Sequence, residues 1–334
     1  MAGHLAVVNA GAWGTALAVV LARAGREVRL WCRRRELADE IRQTSHNAVY
    51  LPGVRLPDGA WPTASLHEAV EHAEAVVLVP ISRAMRETAH AVAPFVGPTT
   101  PVLHASKGLE LTTLRRLSEV IADELQRPPD QVAALSGPTL AEDVARGLPS
   151  AAVVACPETE IASGFQALLH GPTFRIYTST DVVGVELCGA LKNVVALATG
   201  ASDGLGLGEN TRAALITRSI AEIGRLVQAA GGDQRTVAGL AGLGDMVLTC
   251  TSQHSRNHWA GEQIGRGRSL EEVLASTRRV VEGVPAARAA VALAERHGVD
   301  LPVCTQVDQV LHHGAPVQTV LGRLMGREAT SEID

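Results

Sequence analysis

Aromatic residues make up only 3% of this 334-residue chain, so its cores must be filled by Ala, Val and Leu. Cysteine is equally scarce. The five thiols, at positions 32, 156, 188, 250 and 304, are odd in number and show no paired short spacing. That excludes a disulfide frame and a cysteine-based zinc site, and they read as buried thiols. No pair of histidines sits on a credible metal-binding helix face. His254 and His258 are four apart, but Arg256 and Asn257 between them explain that segment better, so no metal is expected. Positive charge is not in excess either. The net charge of −5 implies no broad affinity for nucleic acid, and any anion site must be built locally. No apolar stretch reads as both long and glycine-free enough to insert in a bilayer. The opening Met1-Ala2-Gly3-His4 lacks the basic start of a secretory signal. What is present is 46% hydrophobic and 19% charged. This is a globular composition that suggests two domains, at roughly 150 residues each.

The first half alternates strand and helix. Strands are expected at His4–Val8, Glu27–Trp31, Ala75–Val79, Pro101–Ala105, Gln131–Leu135, Ala151–Ala155 and Phe174–Tyr177. Helices are expected at Ala12–Ala24, Arg34–Thr44, Ser82–Ala93, Thr113–Leu125 and Thr139–Arg146. Gly25 stands just past the first helix, where glycine favours a stop. A loop rich in Pro and Gly runs through Asn47, Tyr50-Leu51-Pro52-Gly53 and Pro57. Continuous apolar strands between helices predict an α/β, Rossmann-like, doubly wound and mostly parallel sheet.

After Asp181 the pattern becomes helical. Asn210–Ala230 carries Ala213, Ile216, Ile220, Ile223 and Val227 at the spacing of one helix face. Ser269-Leu270-Glu271-Glu272 reads as a capping box, and Pro285–His297 and Pro302–His313 follow as helices. The expected division is a dinucleotide-binding domain over residues 1–179 and an all-helical substrate domain over 180–334.

The first candidate site is Asn9-Ala10-Gly11-Ala12-Trp13-Gly14, between the first strand and its helix. Gly11 and Gly14 match the second and third glycines of a dinucleotide fingerprint. One permits close approach of the backbone to a pyrophosphate, the other close packing of helix on strand. Asn9 stands at the first glycine position; asparagine tolerates unusual turn angles. The alternative is an ordinary strand–helix turn. At the end of the second strand, Arg33-Arg34-Arg35 offers guanidinium groups where a carboxylate would favour NAD. NADP(H) is therefore expected as the preferred cofactor, with Arg33 on its 2′-phosphate. Arg34 and Arg35 read as the solvated start of a surface helix. Two more turns follow strands at the ligand-binding edge: Ser106-Lys107-Gly108 and Ser136-Gly137-Pro138-Thr139. Gly137 and Thr139 could offer amides at a helix start. Each turn alone is equally consistent with plain turn chemistry.

Lys192 interrupts an apolar run from Val182 to Ala198 that reads as a buried helix. An ammonium there is unfavourable unless paired or used. Gly242-Leu243-Gly244-Asp245 and Ser255-Arg256-Asn257 are further polar clusters in weakly charged company. A lysine can protonate a carbonyl oxygen as it gains charge, an aspartate can orient that lysine, and an arginine fork matches phosphate oxygens. Together they suggest a dehydrogenase acting on a small phosphorylated ketone or alcohol. The alternative for Lys192 is a stem lying along a helix edge with its head in water.

These motifs resemble those of the bacterial NAD(P)-dependent glycerol-3-phosphate dehydrogenases, nearly end to end. The matching segments are Trp13-Gly14-Thr15-Ala16-Leu17-Ala18, Tyr50-Leu51-Pro52-Gly53, Ser106-Lys107-Gly108, Ser136-Gly137-Pro138-Thr139, Gly189-Ala190-Leu191-Lys192-Asn193, Gly242-Leu243-Gly244-Asp245, Leu248-Thr249-Cys250, Ser255-Arg256-Asn257 and Val281-Glu282-Gly283. The resemblance implies interconversion of dihydroxyacetone phosphate and sn-glycerol 3-phosphate, with Lys192 as acid/base. It places Lys107, Asp245, Thr249 and Asn257 at the reacting end, with Asn193 among the substrate contacts. Arg256, Ser255, Gly137 and Thr139 fall at the substrate, Arg256 also near the cofactor. Ala12, Trp13, Arg33, Lys107, Ala141, Val280 and Glu282 fall at cofactor positions. It further implies a cytoplasmic homodimer serving phospholipid synthesis. One departure stands out: the family has glycine where this chain has Asn9. The 3-hydroxyacid and 6-phosphogluconate dehydrogenases share the architecture but differ around the lysine and lack the Ser-Arg-Asn cluster. A cofactor sensor without turnover is the non-enzymatic alternative.

Overall fold

The computed structural model describes residues 3–277, 280–326, 328, 331 and 332; Met1 and Ala2 of the opening stretch lie outside the described residues. Two compact units are defined. The first holds residues 1–189 with Gly239–Ala241, and the second holds 190–238 with 242–334.

The first unit is built on an eight-stranded sheet. In chain order its elements are β1 (His4–Val8), α1 (Ala12–Arg23), β2 (Val28–Trp31), α2 (Arg35–Thr44), β3 (Ala60–Thr63), α3 (Leu66–Val70), β4 (Ala73–Leu78), α4 (Met85–Val92) and β5 (Val102–His104). They continue with the hairpin β6 (Leu109–Glu110) and β7 (Arg115–Arg116), then α5 (Leu117–Glu124), β8 (Val132–Ser136), α6 (Ala141–Arg146), β9 (Ser150–Ala155), α7 (Thr159–Leu169) and β10 (Phe174–Ser179). The strand order is β10-β9-β8-β5-β4-β1-β2-β3. Every neighbouring pair is parallel except β8 with β9.

Strand periodicity sets the two faces. Leu5 and Val7 of β1 pack with Leu17, Leu21, Val144 and Phe165, while Ala6 and Val8 pack with Val70, Met85, Val92 and Ile121. Both faces are covered, so the parallel strands are apolar throughout. The chain leaves β1 toward β2 on one side and later returns at β4 on the other. The carboxyl ends of β1 and β4 therefore flank the switch point where open α/β sheets take ligands.

Several elements differ from the sequence expectation. The edge strand β3 was not expected; it contains Pro62, and an edge position tolerates the missing donor. The helices α3 and α7 were also missed. The stretch expected as one helix from Thr113 opens instead with β7, after Leu114 adopts a left-handed φ of 61°. The helix expected from Thr139 starts at Ala141, so the amides of Gly137 and Thr139 belong to the preceding loop.

The long helix α8 (Val182–Gly204) carries the division between the units, which falls after Gly189. By length and composition α8 is apolar enough to cross a membrane, contrary to the sequence reading. Yet 89% of its most apolar window is buried inside the protein, which marks a core helix. The second unit continues with α9 (Gly208–Ala229), α10 (Asp245–Thr251), α11 (Arg256–Gly265), α12 (Leu270–Ala275), α13 (Gly283–His297), α14 (Pro302–His313) and α15 (Val317–Met325). Among the described residues no strand follows Ser179. On α9, Ile223 and Val227 are buried and Ile216 and Ile220 half-buried, but Ala213 is exposed. The expected apolar face is thus covered over its later turns only.

Gly200 and Gly261 allow α8 and α11 to touch along their backbones. A methyl group on Gly200 would lie 2.0 Å from the His258 carbonyl oxygen, and one on Gly261 would lie 2.1 Å from that of Leu197. Ser269 caps α12 by accepting from the Glu272 amide, and the Glu272 carboxylate accepts from the Ser269 amide, as the capping box requires.

Candidate active site

The nucleotide end of the first unit is shaped by three backbone facts. Asn9 has φ 97°, a left-handed value that only asparagine and few other residues besides glycine accept. Gly14 is buried, and a methyl group on it would sit 2.0 Å from the Asn9 carbonyl oxygen. Around Gly11, by contrast, a methyl group would meet nothing within 4 Å, so the start of α1 is open. No side chain caps that start, and no acid lies in its first turn. Uncapped amides at the positive end of a 12-residue helix suit a pyrophosphate. The loop is braced by Asn47, fully buried, whose Nδ2 donates to the Ala10 carbonyl at 2.9 Å and to Thr15 Oγ1 at 2.8 Å.

Ala12 is the first residue of α1. Trp13 packs edge-on against Phe174, with ring centroids 6.4 Å apart. Ala141, the first residue of α6, joins the same core. Arg33, Arg34 and Arg35 are all exposed past β2, and no hydrogen bond or ion pair of Arg33 is found among the described residues.

Lys107 follows β5 at the carboxyl edge of the sheet. Its Nζ donates to the Gly137 carbonyl at 3.0 Å, and Thr139 Oγ1 donates to the same carbonyl at 3.2 Å. Gly189 of α8 packs here. A methyl group on it would lie 3.2 Å from Ser136 Oγ and 3.5 Å from Lys107 Cγ.

In the second unit, Lys192 and Asp245 are 7% and 1% exposed. Lys192 Nζ donates to Asp245 Oδ1 at 2.6 Å and to Thr249 Oγ1 at 2.8 Å. Thr249 Oγ1 donates in turn to the Asp245 carbonyl at 2.6 Å. A buried ion pair needs such extra hydrogen bonds to offset its desolvation. A π-helical turn, Leu240–Gly244, delivers Asp245 to the start of α10. Beside this cluster, Asn257 Nδ2 donates to Asn193 Oδ1 at 2.9 Å, and Asn257 Oδ1 accepts from the Gly283 amide at 2.9 Å. This chain of amides ties α8, α11 and the start of α13 together. Ser255 caps α11 by accepting from the His258 amide at 3.2 Å, so its hydroxyl has a structural role. Arg256 is exposed on the first turn of α11. Val280 and Glu282 are half-buried just before α13.

Residues 4–162 match the family model for the NAD-dependent glycerol-3-phosphate dehydrogenase N-terminus, and residues 181–322 match that for its C-terminus. The chain belongs to the NAD-dependent glycerol-3-phosphate dehydrogenase family. Among its relatives, a glycerol-3-phosphate dehydrogenase [NAD(P)+] of Moorella thermoacetica is 52% identical, with 100% of this chain and 99% of the relative aligned. One of Streptomyces griseus is 47% identical over 98% of this chain and 97% of the relative. The crystal structure of glycerol-3-phosphate dehydrogenase from Coxiella burnetii is similar at 40% identity and a TM-score of 0.91, covering 97% of this chain and 99% of that one.

Within this glycerol-3-phosphate dehydrogenase family member, the structure brings together Lys192, Asp245 and Thr249, and pairs Asn193 with Asn257, all residues that the sequence had singled out. Sequence reasoning missed Asn47, and it missed Glu186 and Glu222, each buried on an apolar helix face at 5% and 2% exposure. The signal that singled out Lys192, a charge within an apolar run, was equally present at Glu186.

Proposed function

We propose that the chain interconverts dihydroxyacetone phosphate and sn-glycerol 3-phosphate with NADP(H) in preference to NAD(H). The observation that carries this reading is the buried Lys192–Asp245–Thr249 cluster. Asp245 and Thr249 fix two of the three N–H directions of the Lys192 ammonium, so its proton is delivered from a set position. Lys192 is the group that stabilises and then protonates the carbonyl oxygen during reduction. Asp245 holds the ammonium in place. Lys107, Asn193, Thr249 and Asn257 bind the reacting end of the substrate, and Arg256 its phosphate, with Ser255, Gly137 and Thr139 shaping the segments that carry them.

The open amides at the start of α1 and the exposed Arg33 fit a dinucleotide with a 2′-phosphate. Asn9, Gly11, Ala12, Trp13 and Gly14 would hold its pyrophosphate end, with Ala141, Val280 and Glu282 as further contacts. When bound, the nicotinamide supplies the hydride. The division of labour between a nucleotide domain, residues 1–179, and a substrate domain, residues 180–334, belongs to the same proposal. So do a homodimeric state, a cytoplasmic location and a role in phospholipid synthesis. The test is NADPH oxidation with dihydroxyacetone phosphate, run beside unphosphorylated dihydroxyacetone and 3-hydroxyacid substrates. Turnover specific to the phosphate ester is expected. Cofactor binding without any turnover would leave a cofactor sensor instead.

A further inference from the structure

A second buried polar network lies in the first unit, and the mechanism above does not use it. His104 on β5 and Glu186 on α8 have side chains 2% exposed, with Nε2 and Oε1 3.0 Å apart. Glu186 accepts from the Ser118 amide at 2.8 Å, from Ser118 Oγ, and from Arg116 Nη1 at 2.9 Å. Burial alone would raise the Glu186 carboxyl, but His104, Arg116 and Ser118 bring it down to about 2. Its acceptor sites are thus occupied and its charge compensated.

The same is not true of its neighbours. Among the described residues, His104 Nδ1 and Ser136 Oγ have no hydrogen-bond partner, while His104 Nε2 faces Glu186 Oε1 at 3.0 Å. A buried polar atom left unpaired is unfavourable, so two such atoms call for a physical cause. They border one cavity of about 10 Å³, lined also by Ser106, Lys107, Glu186 and Gly189. A water needs roughly 10–15 Å³ and two to four polar partners. The cavity is therefore of single-water size, and Lys107 and Ser136 both line it, with Gly189 close to each of them.

We propose that this cavity holds one structural water between His104 and Ser136, and that these two act as positioning residues for Lys107. The inference rests on the reading of Lys107 as a group at the reacting end. With the water in place, the Lys107 stem is supported and its Nζ stays on the Gly137 carbonyl. Without it, the stem sinks into the cavity and the ammonium is displaced.

The test is Ser136→Ala, which removes one oxygen and disturbs the fold least, with His104→Gln as a second variant should the first fail to fold. A crystal structure of the wild type is expected to show one water within hydrogen-bonding distance of Ser136 Oγ. Ser136→Ala is expected to lower kcat/KM for dihydroxyacetone phosphate about tenfold, as small misplacements do, while the NADPH Kd is unchanged. In a Lys107→Met background the same change is expected to have no further effect on the residual rate. An empty cavity in the density, a wild-type rate for Ser136→Ala, or a full tenfold loss in the Lys107→Met background would each overturn the proposal. Lys107→Met at full activity would overturn the placement of Lys107 itself, and an inactive wild type would overturn the proposed reaction.

Discussion

Single residues carry the sharpest tests. Lys192→Met removes the proposed proton donor but keeps the apolar bulk of the stem. We expect kcat to fall by about 10²–10⁴-fold, the usual range for acid–base groups, with cofactor affinity little changed; a near-normal kcat in the folded variant would refute the role. Arg256→Ala should weaken dihydroxyacetone phosphate far more than dihydroxyacetone, since only the former offers oxygens for a charge-assisted fork. Equal losses on both would assign Arg256 elsewhere. Asn9 holds a φ of 97° at a position where the family uses glycine. Asn9→Gly relieves that angle beneath the pyrophosphate loop, so NADH and NADPH should both bind tighter by a similar factor. Arg33→Ala should weaken NADPH alone, because only NADPH carries the 2′-phosphate. Titrating both cofactors into both variants separates the two effects, and an equal loss of both cofactors in Arg33→Ala would contradict the 2′-phosphate contact. These residues were legible in the sequence because each breaks its local pattern: a charge in an apolar run, a cluster of arginines, an asparagine among glycines. His104 and Ser136 were not, because nothing in β5 or β8 marks which polar atom will lack a partner.

At the scale of elements, α9 and α14 are joined by one buried acid. Glu222, 2% exposed on α9, accepts from the Val303 amide at 2.7 Å at the start of α14, whose own cap position, Leu301, offers no side-chain acceptor. Burial outweighs these amide bonds and lifts the Glu222 carboxyl to about 7. An acid whose folded-state pKa is raised binds its proton more tightly folded than unfolded. Its stabilising contribution is complete below the unfolded value near 4.5 and is lost as pH rises to about 7. By linkage the loss approaches about 3 kcal/mol. Glu222→Gln keeps the acceptor but cannot titrate. We therefore expect the stability gap between wild type and variant to shift against the wild type between those two pH values. Denaturant titrations at a series of pH values measure it, and a gap independent of pH would show that Glu222 does not titrate there. Most of the elements that sequence patterning missed are short. The edge strand β3, the hairpin β6–β7 and the short helix α3 are too brief for periodicity to register, and all depend on neighbours for their hydrogen bonds or burial.

For the whole molecule, cofactor binding should couple to folding. The open start of α1 and the strained Asn9 loop are expected to gain most from a bound dinucleotide. NADPH at 100 times its Kd should stabilise the protein by about 2.7 kcal/mol, and NADH at the same concentration by less. Thermal melts at matched concentrations test this, and equal shifts with the two cofactors would contradict the preference for NADP(H).

The amino-acid sequence by itself determined the fold class, because continuous apolar strands alternating with helices can be covered on both faces only as a doubly wound sheet. It also singled out Lys192, Asp245 and Arg256 as candidates, because they stand out chemically from their surroundings. Tertiary structure alone decided what these and other groups pack against and bond to. Periodicity could not tell that α8 is a buried core helix despite being long and apolar enough for a membrane, since burial depends on what packs against it. Nor could it tell that Ser255 serves as a helix cap, that Thr249 bridges Lys192 to the backbone of Asp245, or that Glu186 accepts from Arg116 and Ser118. Those pairings join residues as far apart as 70 positions, and hydrogen bonds over such separations exist only once the chain has folded back on itself.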